Sequence, residues 1–265
     1  MKKFGFLLPV LMVLLFSFVG TRMLASGSVS PVTLIMITAV VFGIALISRP
    51  KKGAAKSVSD FEQKVRGEFA KDAFADDPQL AAKFQSALKD YSGNMPKAAL
   101  NKLQKLAPLC SNEKDIYVVA MATATLCISQ NKPKDAIKEY IRALGICPSS
   151  ELARSLGSAY QRIGELDKAR DTYQYALDLD GDNLEALSAI ATTYVADGMY
   201  QMGLNTAMQV LEKNEHHASA LATTAICHGL LNDPVMYKHY TDRAVENGYK
   251  KDKITNTVDA LKKRK

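Results

Sequence analysis

Two uncharged apolar runs open the chain, and the pattern changes character after Pro50. Phe4–Gly20 is 17 residues without a charge, and Pro31–Ser48 is 18. At about 1.5 Å per residue they reach roughly 25 and 27 Å, close to the roughly 30 Å hydrocarbon core of a bilayer. A chain in lipid must satisfy its backbone internally, so both predict helices despite their β-branched content, over about 4–21 and 31–48. Pro31 suits a first helical turn, and Arg49-Pro50 stops the second run. The first run admits another reading, because Met1-Lys2-Lys3 before an apolar stretch is also how a secretory signal peptide begins. The cleavage site it would need is poorly matched by Met23-Leu24-Ala25-Ser26.

Beyond Pro50 the apolar positions recur at helical spacing, and the pattern itself repeats. Lys134–Ala143 reads KDAIKEYIRA and Asp167–Ala176 reads DKARDTYQYA. In each, a small residue (Ala136, Ala169), an aromatic four later (Tyr140, Tyr173) and a second Ala (Ala143, Ala176) fall on one helical face. The first small position recurs as Gly203, and the last as Val210 and Ala244, at intervals of 33 or 34 residues. Two helices of about a dozen residues and two short turns consume such a period. One pair cannot bury its own apolar stripe, so several must stack. The prediction is an all-α solenoid of antiparallel helix pairs.

Leu156-Gly157, Tyr160, Gly164, Ala169, Tyr173 and Ala176 resemble the tetratricopeptide repeat (TPR) pattern, departing from it at the early Trp position, which is Ala153. The resemblance covers units at 117–149, 150–183, 184–217 and 218–248. A degenerate unit at about 78–112 carries Pro96-Lys97-Ala98-Ala99, Leu103 and Leu106, offset by 37 residues. It implies close packing at Ala136, Tyr140, Ala143, Gly157, Tyr160, Ala169, Tyr173 and Ala176. It also implies a peptide- or protein-binding groove lined by the first helix of each pair. Carried onto this sequence, the groove positions are Glu151, Arg154, Ser158, Gln161 and Arg162 in the second of these units. The next unit supplies Glu185, Ser188, Thr192, Val195 and Ala196, and the preceding one Val118, Met121, Thr125, Ile128 and Ser129. The Lys/Asn-rich clamp of chaperone-tail-binding members is missing. Arg154 and Arg162 suit a segment with acidic groups, while the plainer reading leaves all these as exposed side chains.

The flanks complete four parts: a membrane anchor (1–50), a basic linker with a capping helix (51–77), the repeats (78–249) and a basic end (250–265). Ser57–Phe74 reads as one amphipathic helix with Val58, Phe61, Val65 and Phe69 on a face over the open end of the first repeat. Asp252–Lys265 reads as a short helix docking through Ile254, Val258 and Leu261.

Charge changes the picture in one respect. The net charge is +7, yet residues 57–249 hold 20 Lys+Arg against 25 Asp+Glu, a net of −5. An acidic body lacks the continuous basic face that nucleic acid requires, so no nucleic acid is expected. The bases are at the ends. Lys2 and Lys3 precede the first run; Arg49, Lys51, Lys52 and Lys56 follow the second; Arg22 alone lies between. The positive-inside rule places both flanks in the cytoplasm, and the repeats with them, in an integral protein of the cell (inner) membrane. The terminal Lys262-Lys263-Arg264-Lys265 reads as a solvated end, an anionic-lipid contact or, least of all, an RNA contact.

Cys110, Cys127, Cys147 and Cys227 form no CxxC pair and read as free thiols of a reducing compartment. His216, His217, His228 and His239 lack metalloprotease spacing, and no phosphate loop or nucleophile elbow occurs. No enzyme, cofactor or metal is expected. The favoured reading is a membrane-anchored scaffold presenting a cytoplasmic groove to a protein or peptide, with lipid held by two N-terminal helices. The alternatives are a structural subunit of a membrane complex and an envelope assembly factor.

Overall fold

The computed structural model describes residues 61, 63 and 65–263, all within the compact unit Val58–Lys265. Both N-terminal apolar runs, Val58, Arg264 and Lys265 lie outside the described residues. Eleven helices follow in order: α1 (Pro78–Ser92), α2 (Pro96–Leu106), α3 (Glu113–Ser129), α4 (Pro133–Ile146), α5 (Ser150–Arg162), α6 (Leu166–Leu179), α7 (Leu184–Ala196), α8 (Tyr200–Lys213), α9 (Ala218–Leu230), α10 (Pro234–Glu246) and α11 (Lys251–Lys262). The helices α1/α2, α3/α4, α5/α6, α7/α8 and α9/α10 pair, and each pair stacks on the next. None of these helices is long and apolar enough to cross a membrane.

One device makes every reversal inside a pair. Asn94, Asn131, Gly164, Gly198 and Asn232 take φ of +59°, +57°, +83°, +82° and +61°. Asn and Gly tolerate this left-handed conformation best. Each lets the following N–H reach a carbonyl five residues back. The bonds are Met95 to Asp90, Lys132 to Cys127, Glu165 to Tyr160, Met199 to Tyr194 and Asp233 to His228, at 2.8–3.1 Å. The orphan carbonyls at the helix end are thereby satisfied and the chain turns back. The next helix then opens with Pro96, Pro133 or Pro234 in three pairs, where a missing N–H costs nothing. The first helices are capped by side chains of Asp77, Asn112, Ser149, Asn183 and His217.

Packing within pairs depends on small residues. A Cβ on Gly157 would lie 2.7 Å from the Tyr173 ring, and one on Gly203 would lie 2.7 Å from Val195. Ala136, Ala143, Ala169 and Ala176 are fully buried, as is Tyr173; Tyr140 is buried and Tyr160 half-buried. Tyr173 fills the space over Gly157 in its own pair and also touches Ile190 in the next. The core is therefore uneven. One large cluster runs from Phe61 to Ala159 and another from Val195 to Leu261. Between them lie thin contacts around Ala153, Ala176 and Ala186 and around Ala169, Tyr173 and Ile190.

The N-terminal cap is not one helix to Phe74. Helical structure ends at Arg66, Gly67 takes φ +53°, and residues 67–74 turn. A continuous helix would carry its apolar face past the surface it covers; the turn folds Ala70, Ala73 and Phe74 back into the core. Asp115 fixes this fold by accepting the Phe74 N–H at 2.6 Å, and the Arg66 guanidinium lies 5.7 Å from the Phe84 ring. At the other end α11 buries Ile254, Val258 and Leu261. It rests mainly on α9 and only slightly on α10, so the stack ends without a further pair.

Removing Tyr173 should leave a cavity over Gly157, and Tyr173→Ala is expected to cost about 3–5 kcal/mol. Ala169→Leu should overpack the same junction by about 1–3 kcal/mol. Urea denaturation of the full chain checks both, with exposed Leu179→Ala as a near-neutral control. Unchanged midpoints for the first two would show that the register assigned to this pair is wrong.

Candidate functional site

The first helices of three successive pairs, α3, α5 and α7, carry the expected groove positions, and the fold treats them unequally. On α5, Glu151, Ser158 and Arg162 are exposed, while Arg154 and Gln161 are half-buried. On α7, Glu185 and Ala196 are exposed and Thr192 is half-buried, but Ser188 and Val195 are buried. On α3, Val118 and Met121 are buried, Thr125 and Ile128 half-buried and Ser129 exposed. Val118, Met121, Ser188 and Val195 are thus buried, and of these four only Val195 lines the cleft described below. The reason at α3 is that Tyr117–Ala124 is buried on every side; Phe69 of the N-terminal cap lies against Tyr117 at 5.4 Å. A helix apolar all round is an interior helix. Ser188 is 2% exposed, and its hydroxyl has no hydrogen-bond partner.

Several of the remaining positions meet at one phenol. The Tyr173 hydroxyl donates to Gln161 Oε1 at 3.1 Å, and Gln161 Nε2 donates to Thr192 Oγ1 at 3.3 Å. Burial pushes the Tyr173 phenol up to about 12, against the opposing effects of a Ser158 hydrogen bond and the Arg154 charge. Tyr140 repeats the arrangement one unit earlier. Burial raises its pKa and the nearby Cys127 adds to the rise, while a hydrogen bond with Thr125 and the charge of Arg162 oppose it. A hydroxyl on the first helix therefore meets a phenol on the second in both pairs. The equivalent of the phenol is Ala207 in the next pair and Thr241 in the last.

The two arginines differ in placement. Arg154 stands beside the Tyr173 cluster, whereas Arg162 Nη2 donates to Asn131 Oδ1 at 3.0 Å, reaching back to the α3–α4 turn. Glu185 is also engaged: its Oε1 lies 3.2 Å from Nε2 of buried His217, although not aligned as a hydrogen bond. His217 Nδ1 accepts the Ala220 N–H at 3.2 Å, so in this arrangement the ring proton is on Nε2, facing the carboxylate.

Further along the inner face a cleft of about 440 Å³ opens between three helices. Its walls are Thr192, Val195 and Ala196 of α7, Thr223 and Ile226 of α9, and Asn256, Thr257, Ala260 and Leu261 of α11, with Tyr249 from the connection before it. No charged side chain lines it. The α7 wall includes groove positions read from the sequence; the α9 and α11 walls do not. The signal for the α9 wall was the uncharged stretch from Ala218 to Cys227, whose polar residues are only Ser219, Thr223 and Thr224, and for the α11 wall the spacing of Tyr249, Asn256, Thr257 and Ala260 on one helical face. The thiols offer no chemistry here. Burial raises Cys110 to about 11 and Cys227 to about 12. Among the described residues no cluster of three or more His, Cys, Asp or Glu is placed to hold a metal ion.

A 17%-identical TPR protein from Parabacteroides merdae has a similar solved structure, with a TM-score of 0.59 over 69% of this chain and 72% of that one. YrrB, described as a TPR protein with an unusual peptide-binding site, gives 0.51 at 18% identity, over 68% and 93%. MamA gives 0.53 at 18% identity, over 63% and 96%. The fold is that of the tetratricopeptide repeat. No protein-family model matches the chain. In sequence, 127 residues are 30% identical to the protein CTR9 homolog of Arabidopsis thaliana, covering 46% of this chain and 12% of that protein. A 98-residue stretch is 22% identical to tetratricopeptide repeat protein 8 of Caenorhabditis elegans, covering 37% and 19%. The chain thus matches less than a fifth of the length of either relative.

The polar cluster yields a stability test. Gln161→Ala removes one of the two partners of the Tyr173 hydroxyl, Ser158 being the other, and should cost about 0.5–1.5 kcal/mol. Combining it with Tyr173→Phe should cost less than the sum of the two single changes, because both remove the same bond. Additive effects in a double-mutant cycle by urea denaturation would show that the two side chains do not interact.

Proposed function

We propose that the protein is a membrane-anchored interaction scaffold whose TPR inner face binds a protein or peptide. The observation that supports this most directly is the uncharged cleft between α7, α9 and α11, continuous through Thr192 with the polar cluster of Gln161, Ser158 and Arg154. Pockets of a few hundred Å³ with an apolar floor and a few polar groups at the edge are the usual shape of binding sites. The reading assigns the protein no catalysis. The two N-terminal apolar runs serve as the anchor, and the bases after the second keep the repeats in the cytoplasm of a cell bounded by that membrane.

Both halves of the proposal can be tested on the full chain. Anchoring predicts that the protein stays in the membrane pellet after alkaline carbonate extraction, and that deletion of residues 1–50 releases it. For sidedness Cys147 is the informative thiol, being half-buried where Cys110, Cys127 and Cys227 are buried. A membrane-impermeant maleimide should label it after lysis and not in intact cells. Labelling before lysis would place the repeats outside the cytoplasm.

For the groove, Arg154→Ala should weaken a bound acidic segment by about 1.5–3 kcal/mol, the usual worth of a hydrogen bond to a charged group. Arg162→Ala should weaken it less, since Asn131 already holds that guanidinium. A partner that binds both variants as it binds wild type would remove Arg154 from the site.

A further inference from the structure

We infer that the cleft formed with α11 is an anchor pocket for one bulky uncharged side chain of an extended acidic segment, with Lys253 as the residue that selects the acid. This rests on the reading of the inner face as a peptide-binding surface and names the ligand class that face takes at its C-terminal end.

The selection for an uncharged anchor follows from the lining. Val195, Ile226 and Leu261 supply an apolar floor, and Thr192, Thr223 and Thr257 supply neutral hydroxyls. A charged side chain entering there would lose hydration without meeting a counter-charge, which is costly. An aromatic or large aliphatic side chain would instead bury apolar area, and a volume of about 440 Å³ admits one such group with its neighbouring backbone. The walls are fixed by close packing. A Cβ on Gly229 of α9 would lie 3.1 Å from Val258 of α11, so α11 is seated directly on α9 and cannot slide inward to fill the space.

The acid preference follows from the rim. Tyr249, Lys253, Asn256, Thr257 and Ala260 recur at spacings of four, three, one and three residues, so they share one face of α11 and its lead-in. Tyr249, Asn256, Thr257 and Ala260 line the cleft, and the Lys253 ammonium lies 6.0 Å from the Tyr249 ring. The side chain of Lys253 is exposed, and none of the ion pairs among the described residues involves it. Of the acids on α11, Asp252 stands four residues before Asn256 and Asp259 three after it, and neither lines the cleft. Lys253 is one helical turn from Thr257, about 6 Å along the axis, which is about two residues of an extended chain. The segment should therefore carry its carboxylate two positions from the anchor.

The test uses fluorescein-labelled 12-residue peptides and fluorescence anisotropy with the full chain in detergent. One series places Glu two residues to either side of a central Phe, a second has Lys there, and a third keeps Glu but replaces Phe with Ala. The Glu–Phe series should bind at least tenfold more tightly than either of the others. Ala260→Trp, at an exposed position, should fill the mouth and abolish the binding without lowering the melting temperature. Lys253→Glu should reverse the charge preference, favouring the Lys series. If the Glu–Phe peptide binds Ala260→Trp as tightly as wild type, or if Lys253→Glu leaves the charge preference unchanged, the pocket assignment is wrong. Binding that then depends on Arg154 would leave the wider groove standing. Failure of all three series to bind wild type would overturn both the pocket and the peptide groove.

Discussion

Every reversal inside a helix pair of this solenoid depends on one residue that can hold a positive φ. Asn94, Asn131, Gly164, Gly198 and Asn232 occupy the same place in successive pairs and close the same six-residue hydrogen bond. The turn is so short that the second helix must return alongside the first, and the pair becomes the unit that stacks. Their sequence intervals of 37, 33, 34 and 34 residues follow from it directly. The longer first interval holds the 3-10 turn Ala107–Leu109, which lengthens the connection between the first two pairs.

How closely the paired helices approach is a second constraint, and it shapes the inner face. In the pair α5/α6, Gly157 admits the Tyr173 ring, whose hydroxyl reaches the inner surface and gathers Gln161, Ser158 and, through Gln161, Thr192. In α7/α8 the roles invert: Gly203 on the second helix admits Val195 of the first. With Ala207 where the phenol would stand, that stretch of the inner face carries no such polar group. The polar cluster and the uncharged cleft are therefore neighbours with different chemistry, produced by exchanging which helix of the pair contributes the small residue.

The ends decide how much of that face is left open. A stack of pairs leaves apolar surface at each terminus, and both termini are covered by segments that are not repeats. The N-terminal turn packs on α1 and on the start of α3, with Phe74 against Phe84, Phe69 against Tyr117 and the Phe74 N–H on Asp115. At the other end α11 sits on α9 rather than beside α10, and so becomes a wall of the cleft. Its apolar face is sealed against the repeats while its lysines remain in solvent, which joins a structural cap to a basic rim.

Much of the architecture was legible in the residues themselves. The 33–34-residue period, the small positions at Ala136, Ala169 and Gly203 and the aromatic at Tyr140 and Tyr173 are local requirements of close helix packing, so they are written along the chain. The same holds for Ile254, Val258 and Leu261 on one face of α11. Exposure was not legible. Met121 and Ser188 occupy the position that Arg154 fills in the unit between them, yet they are buried where Arg154 is half-buried, and Arg162 is drawn away by an Asn 31 residues earlier. The walls of the cleft come from three helices spread over nearly 70 positions, and the break at Gly67 depends on an acid at 115. Periodicity determines which face of a helix is apolar; only the tertiary structure decides which neighbour covers it, because that depends on where the separate pairs and caps come to rest against one another.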